Sequence, residues 1–292
     1  MWGRRFDAKG RPLGSRFRLS TITDGSQLQP TVAMAADGGF LAAWTSGPDP
    51  YPDRSSDVYA RRFDAAGKPL GRELVASVET FQEQAAPQVV ITENGDFLIG
   101  WESFGGEGTF YDVFVRRYTG DGTPLGKEFE ASAGPNPEVS QHELALAAGA
   151  DGAFVVVWTD NAGDYKPGVS DPEDLIGILG ERFVADGTPI DNEPFRINAS
   201  AKGSQFSPAV TVSPRGDFFV TWSSSIATAP LNYDQDLLGR RFGSDGRPLS
   251  GEIVLDKDGG RAGLAMASTG QGIIAWASPD GVFVRKLVAP AP

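Results

Sequence analysis

Tyr51, Tyr111, Tyr165 and Tyr233 stand in stretches that also carry Asp49, Asp53, Asp164, Asp171 and Asp234. Tyrosine rings beside carboxylates can stack on a sugar ring and hydrogen-bond its hydroxyls. A second chemistry would need carboxylates in pairs, because glycosidic hydrolysis uses two of them about 5–10 Å apart, one as acid and one as base or nucleophile. A third is the binding of a hard cation. Asp57, Asp112 and Asp236, each four residues before an arginine (Arg61, Arg116, Arg240), are the candidates for calcium, which takes several oxygen ligands. No twelve-residue Asp-x-Asp-x-Asp-Gly loop accompanies them. Along an extended chain each Asp lies about 13 Å from its own Arg. The structural alternative is that the Asp orders an adjoining loop through backbone N–H groups while the Arg pairs with a neighbouring strand or blade.

Other chemistries are excluded more firmly. The chain has no Cys and one His, His142, which removes disulfides, thiolate metal sites and thiol catalysis. Neither Gly-x-Ser-x-Gly nor Gly-x-x-x-x-Gly-Lys occurs. A net charge of −12 argues against nucleic acid as a partner, since phosphate neutralisation needs clustered Lys and Arg. No stretch approaches the apolar length of a membrane-spanning helix. No cofactor is expected apart from the calcium alternative.

The elements that must position these groups follow from a repeat. A Gly stands six residues before a Trp five times, at Gly38/Trp44, Gly95/Trp101, Gly152/Trp158, Gly216/Trp222 and Gly270/Trp276. In four copies a Gln precedes the Trp by seventeen residues: Gln27, Gln84, Gln141 and Gln205. These amides could ring a channel or satisfy backbone groups of the crossovers. Each copy reads as four short strands: an inner strand, a tight turn with its Gly, the Phe-x-x-x-Trp strand, a third strand ending near Arg-Phe, and a fourth after a Gly-x-Pro turn. The Phe-x-x-x-Trp strand is apolar on both faces, as at Phe154/Val156/Trp158 against Val155/Val157, so it must be covered on both. That pattern predicts an all-β fold, a five-bladed β-propeller of four-stranded antiparallel blades, over residues 1–292 as a single domain. The N-terminal fourth strand, Arg16–Ser20, is expected to complete the last blade, which ends on a third strand. The first residues already lie inside a repeat, so an excerpt of a longer chain is also expected.

Arg61-Arg62-Phe63-Asp64-Ala65-Ala66-Gly67-Lys68-Pro69-Leu70-Gly71, then Gln84-x-x-Pro87, then Asn94-Gly95-Asp96-Phe97-Leu98-x-x-Trp101 resembles the β-propeller repeats of large secreted or surface-exposed bacterial proteins. The resemblance covers nearly the whole chain and implies an extracellular or cell-surface setting. The last copy departs from it, with Gly259 in place of Gln and Lys286-Leu287 in place of Arg-Phe.

Length variation falls on one rim, in the segments after the Trp strands, and rigid scaffolds put function on such loops. Tyr51, Tyr111, Tyr165, Tyr233 and Asp234 are therefore the expected ligand-binding residues, with a glycan or a protein as partner and the domain a monomer. Among the inner strands only Glu143 is acidic. One carboxylate is not a pair, so the sequence points to a non-catalytic binding or scaffold module, with a structural spacer and a propeller glycoside hydrolase as the alternatives.

Overall fold

The computed structural model describes residues 1–48, 55–78, 83–105, 110–133, 139–161, 176–200, 203–229, 232–267 and 269–288. The described residues are all-β and form a five-bladed β-propeller. A two-stranded sheet, β1 (Trp2–Gly3) and β2 (Phe17–Arg18), comes first. Blade 1 is β3 (Ser26–Met34), β4 (Phe40–Gly47), β5 (Asp57–Phe63) and β6 (Leu74–Val75); blade 2 is β7 (Gln84–Ile91), β8 (Phe97–Phe104), β9 (Tyr111–Tyr118) and β10 (Phe129–Glu130). Blade 3 is β11 (Gln141–Ala148), β12 (Phe154–Asp160), β13 (Gly177–Phe183) and β14 (Phe195–Arg196). Blade 4 is β15 (Ser204–Val212), β16 (Phe218–Ala229), β17 (Asn232–Phe242) and β18 (Ile253–Lys257), and blade 5 is β19 (Ala262–Met266), β20 (Gln271–Ser278) and β21 (Gly281–Val288). In every blade the strands pair in chain order, inner to outer. The chain divides into two compact units, one of Met1–Gly105 with Phe114–Phe129, the other of Gly106–Val113 with Glu130–Pro292.

Two expectations need correction. β2 does not complete the last blade: it pairs with β1, and Leu19 beyond it packs on Ala42, Trp44 and Phe63 of blade 1. Leu19 and Phe17 find there the aromatic surface that Phe195 finds on Phe218 and Phe242 further along. Nor is 223–235 a loop. β16 and β17 run on as a paired hairpin to Ala229↔Asn232.

Within each unit the blades meet through the faces of the Trp strands. In the first, Leu41, Ala43, Val58 and Ala60 pack on Phe97, Ile99, Trp101 and Tyr118. In the second, Val155, Val157 and Ile178 pack on Phe218, Val220, Trp222 and Phe242. Trp44, Trp101, Trp158 and Trp222 are all 0% exposed, and an indole N–H withdrawn from water needs an acceptor. Gln84 Oε1 accepts from Trp101 Nε1 at 2.8 Å, and Gln205 Oε1 from Trp222 Nε1 at 2.9 Å. In blades 2 and 4 the seventeen-residue spacing is thus an amide–indole hydrogen bond across the first two strands, whereas Trp44 Nε1 and Trp158 Nε1 have no partner among the described residues. In blade 5, which has Gly259 instead, Asp256 Oδ2 accepts from Trp276 Nε1 at 2.5 Å.

Polar ties between adjacent blades also recur. Arg61, Arg116 and Arg240 each donate Nη1 to a carbonyl of the preceding fourth-strand segment, Leu19, Ala76 and Ile197, at 3.2, 3.1 and 2.9 Å. Each guanidinium also lies over an aromatic ring two residues on, Phe63, Tyr118 or Phe242. Glu73, Glu128 and Glu252 accept from the N–H of Thr21, Val78 and Ala199 just past the preceding fourth strand. Blade 3 has Glu181 in place of the Arg and Pro194 in place of the Glu.

Glu181 is 6% exposed. Burial pushes its carboxyl up to about 7, with the Asp191 charge adding to the rise. Because its folded pKa lies above its unfolded value, stability is complete below pH 4.5 and declines as pH climbs to about 7, by up to about 3 kcal/mol. Glu181→Gln should therefore raise the melting temperature at pH 8 and leave it unchanged at pH 4; equal melting curves at pH 8 would refute the buried charge. Gln84→Ala should cost about 1–3 kcal/mol by stranding the Trp101 N–H. Gln27→Ala should cost less, because Trp44 Nε1 has no partner. Urea unfolding of the two variants measures the difference.

Candidate functional site

Each inner strand of blades 1–4 carries a β-bulge near its start, where the register slips between Leu28 and Thr31, Ala85 and Gln88, His142 and Ala145, and Phe206 and Ala209. The bulged residues Gln29, Ala86, Glu143 and Ser207 have φ of 49, 50, 52 and 53°. Left-handed backbone in non-glycine residues costs about 1–2 kcal/mol each, and such strain gathers where a side chain must be aimed. All four stand fifteen residues before their Trp, a place held in blade 5 by Arg261.

In the first unit Gln29 Oε1 accepts from Thr45 Oγ1 of its own blade at 2.8 Å and from the N–H of Ala86 in the next at 3.0 Å. In the second, Glu143 does the same with a charge. Its Oε2 accepts from Thr159 Oγ1 at 3.0 Å and from the Ser207 N–H at 2.6 Å, and its Oε1 from Ser207 Oγ at 2.9 Å and Arg261 Nη2 at 2.8 Å. Arg261 also donates to Ser207 Oγ through Nε and Nη2. Three blades thus converge on one carboxylate. Burial pushes the Glu143 carboxyl up, but the Ser207 N–H, the Ser207 and Thr159 hydroxyls and the Arg261 guanidinium bring it below the ordinary glutamate value. The site holds a fixed anion at neutral pH, able to stabilise positive charge or take a proton from water.

Next to it, His142 Nε2 lies 2.7 Å from Asn161 Nδ2, and its ring is 5.5 Å from that of Tyr111 at 51°. With the amide nitrogen donating, Nε2 is the acceptor and the neutral imidazole carries its proton on Nδ1. Tyr111 is held in turn by its own N–H, which donates to Ser140 Oγ at 3.4 Å.

Of the ligand-binding residues expected from sequence, Tyr111 belongs to this cluster. Tyr51 and Tyr165 lie outside the described residues. Tyr233 and Asp234 sit on β17, opposite Ala227 and Ile226. Asp57 and Asp112 turn inward and not toward a loop: Ser77 Oγ donates to Asp57 Oδ1 at 3.4 Å, and burial raises both carboxyls. Among the described residues no three His, Cys, Asp or Glu groups gather as a metal site. Ser207 and Arg261 were missed by sequence reading, although their common distance from the Trp was available.

No family model matches the chain, and no curated protein matches it in sequence. Its fold is shared by solved structures. A protein of unknown function from Dyadobacter fermentans DSM 18053 superposes with a TM-score of 0.63 at 16% identity, over 90% of this chain and 79% of that one. An α-L-arabinanase of Penicillium chrysogenum, complexed with arabinobiose, gives 0.59 at 15% identity, over 89% and 77%. A thermostable family-43 glycoside hydrolase gives 0.51 at 12% identity, over 94% of each chain. These likenesses correct the expectation of a non-catalytic binding or scaffold module, since structures with this fold include glycoside hydrolases. The expectation failed because it asked the inner strands for two carboxylates and gave no weight to residues reaching in from neighbouring blades.

Glu143→Leu leaves the Ser207 N–H and Thr159 hydroxyl without an acceptor and should cost about 2 kcal/mol or more. Arg261→Ala should cost under about 1 kcal/mol, because the Arg261 side chain is 73% exposed. The depressed Glu143 pKa stabilises the fold above the ordinary glutamate value near pH 4.5 and loses that contribution as pH falls through the folded value. Stability difference curves of wild type against Glu143→Gln, from pH 7 to pH 3, should therefore converge at the acid end; parallel curves would mean that Glu143 is not held as an anion.

Proposed function

We propose that the chain is a glycan-acting propeller of the hydrolase kind, with Glu143 as the ionised carboxylate of its site. The observation that carries the proposal is the convergence of Thr159, Ser207 and Arg261 on Glu143 at a strained bulge. Four donors fix both oxygens and keep the charge in place before a ligand arrives, which is the preorganisation that electrostatic catalysis requires. The role fits stabilisation of an oxocarbenium-like transition state or activation of a water. Tyr111 and His142 supply an aromatic and hydrogen-bonding flank for a sugar ring. The shared fold with an α-L-arabinanase supports a glycan as the substrate class. In this reading the ligand enters on the side of the inner-strand bulges.

A proton donor is also needed. Asp160, paired with Gln141 two residues before Glu143, is the carboxyl to be tested. On a panel of aryl glycosides and of arabinan and xylan oligosaccharides, Glu143→Gln should lose about 10²–10⁴-fold in turnover. Loss of the same order in Asp160→Asn identifies the acid. Undiminished turnover in Glu143→Gln, or no turnover of any glycan by the wild type, would reject the proposal.

A further inference from the structure

Where blade 3 meets the fourth-strand segment before it, the polar ties of the other blades are missing. In blades 1, 2 and 4 an arginine of the third strand donates to a carbonyl of that segment, and in blade 2 the Tyr118 hydroxyl also donates to the Ala76 carbonyl, at 3.2 Å. The matching carbonyl before blade 3 is that of Ala131. Its N–H donates to the Val113 carbonyl, as those of Ala76 and Ile197 donate to Val58 and Ile178, and like them Ala131 is 0% exposed. Blade 3 answers it with Glu181 in the place of the arginine and Phe183 in that of Tyr118. Glu181 is opposite Val156 just as Arg61 is opposite Ala42 and Arg240 opposite Val220, so its side chain leaves the sheet on the same side. Residues 130–133 and blade 3 belong to one compact unit.

From these replacements we infer that Glu181 is a proton-operated latch on residues 130–133: the carboxylic acid donates its hydroxyl to the Ala131 carbonyl and holds the segment against blade 3, and the carboxylate releases it. The chemistry of the two states sets the direction. A protonated carboxyl has one O–H to give, whereas a carboxylate, its proton passed to water, only accepts and sets a charged oxygen against a carbonyl oxygen. At 6% exposure the charge gains water only if the segment gives way. Among the described residues no cation is placed to keep it bound. Asp191 adds a further negative charge, and Arg182, next in the strand, is engaged by both Asp191 oxygens and by the Ser244 carbonyl of blade 4. Arg196 of β14 lies against the place of Gly177, at the far end of β13. The segment itself contributes Glu130, whose carboxyl is raised by burial and by the Asp112 charge. Because burial brings the Glu181 carboxyl up to about 7, the two states exchange near neutral pH.

The latch lies on the outer strands and does not depend on the hydrolase reading. Its test follows, by NMR on the full chain, the side-chain carboxyl 13C shift of Glu181 and the hydrogen exchange of the Ala131 amide from about pH 5 to pH 9. Corrected for the intrinsic pH dependence of exchange, protection of Ala131 should fall by about tenfold or more, with the midpoint of the Glu181 titration. At the high-pH end its exchange should not respond to low urea, which marks a local opening that exposes little surface. Glu181→Gln, a neutral donor, should keep the low-pH protection throughout, and so should Glu181→Arg, which restores the residue of the other blades. Wild-type protection that does not change with pH, or that changes equally in Glu181→Gln, overturns the inference. Exchange that accelerates with urea at high pH also overturns it, as does an Ala131 amide in Glu181→Arg that exchanges like the wild type at pH 9.

Discussion

A sheet that is apolar on both sides has no stable position except between two others. In this chain the constraint is concentrated in the Trp strands. Each carries Phe or Gly, then Ala, Val or Ile, then Trp on one face, and in all but blade 4, which has Phe219, small or branched residues on the other, so blades 1 and 3 receive the large side chains of blades 2 and 4 on small ones. The stacked pairs Phe40/Phe63, Phe97/Tyr118, Phe154/Phe183 and Phe218/Phe242, with ring centroids 4.8 or 4.9 Å apart, are the same contact made four times. Dry packing then dictates the polar chemistry. The indole N–H groups of Trp101 and Trp222, sealed in such interfaces, donate to Gln84 and Gln205, and that of Trp276 in blade 5 donates to Asp256.

Interfaces of this kind leave backbone groups unpaired at the ends of the short fourth strands and at the bulges, because no regular ladder crosses from blade to blade. The chain satisfies them with side chains of the adjacent blade: Arg for a carbonyl, Glu for an N–H, and Gln29 or Glu143 for the N–H of the next bulge. Blade 3 departs from this scheme twice, at Glu181 and Pro194, and is also the blade whose bulge holds a charge. Repetition stabilises a scaffold, whereas a site that distinguishes one part of a ligand from another needs one blade to differ. The departures of blade 3 concentrate that asymmetry around β11–β14.

Much of the fold was legible because the repeat acts through fixed distances. The Gly–Trp spacing records a turn and, in blades 2 and 4, the Gln–Trp spacing records a hydrogen bond within one blade, and both survive insertions elsewhere. The third strands, expected to end near Arg-Phe, end at Phe63, Phe183 and Phe242. What the repeat could not show was contact between blades: Glu143, Ser207 and Arg261 share one distance from their Trp, but nothing in that distance says that Arg261 reaches Glu143 across 118 positions. The β16–β17 hairpin was misread as a loop because its Ser-rich strand has little hydrophobic alternation, and β2 was misplaced because strand type alone does not say which neighbour a strand joins.

The bulge is also where structural and chemical demands on Glu143 meet. A residue at φ 52° persists only if its surroundings repay the strain, and here repayment comes through the carboxylate itself, by four hydrogen bonds to groups of three blades. The same four bonds that hold the backbone in place keep the charge from leaving. A neutral amide serves the structural half of this role, as Gln29 shows in blade 1, where it caps Ala86 and accepts from Thr45. Arg261 is therefore superfluous to capping: its guanidinium balances a charge that the fold does not require. The ion pair stands where a neutral group suffices, and this contrast between Gln29 and Glu143 at equivalent positions is what sets blade 3 apart from blade 1.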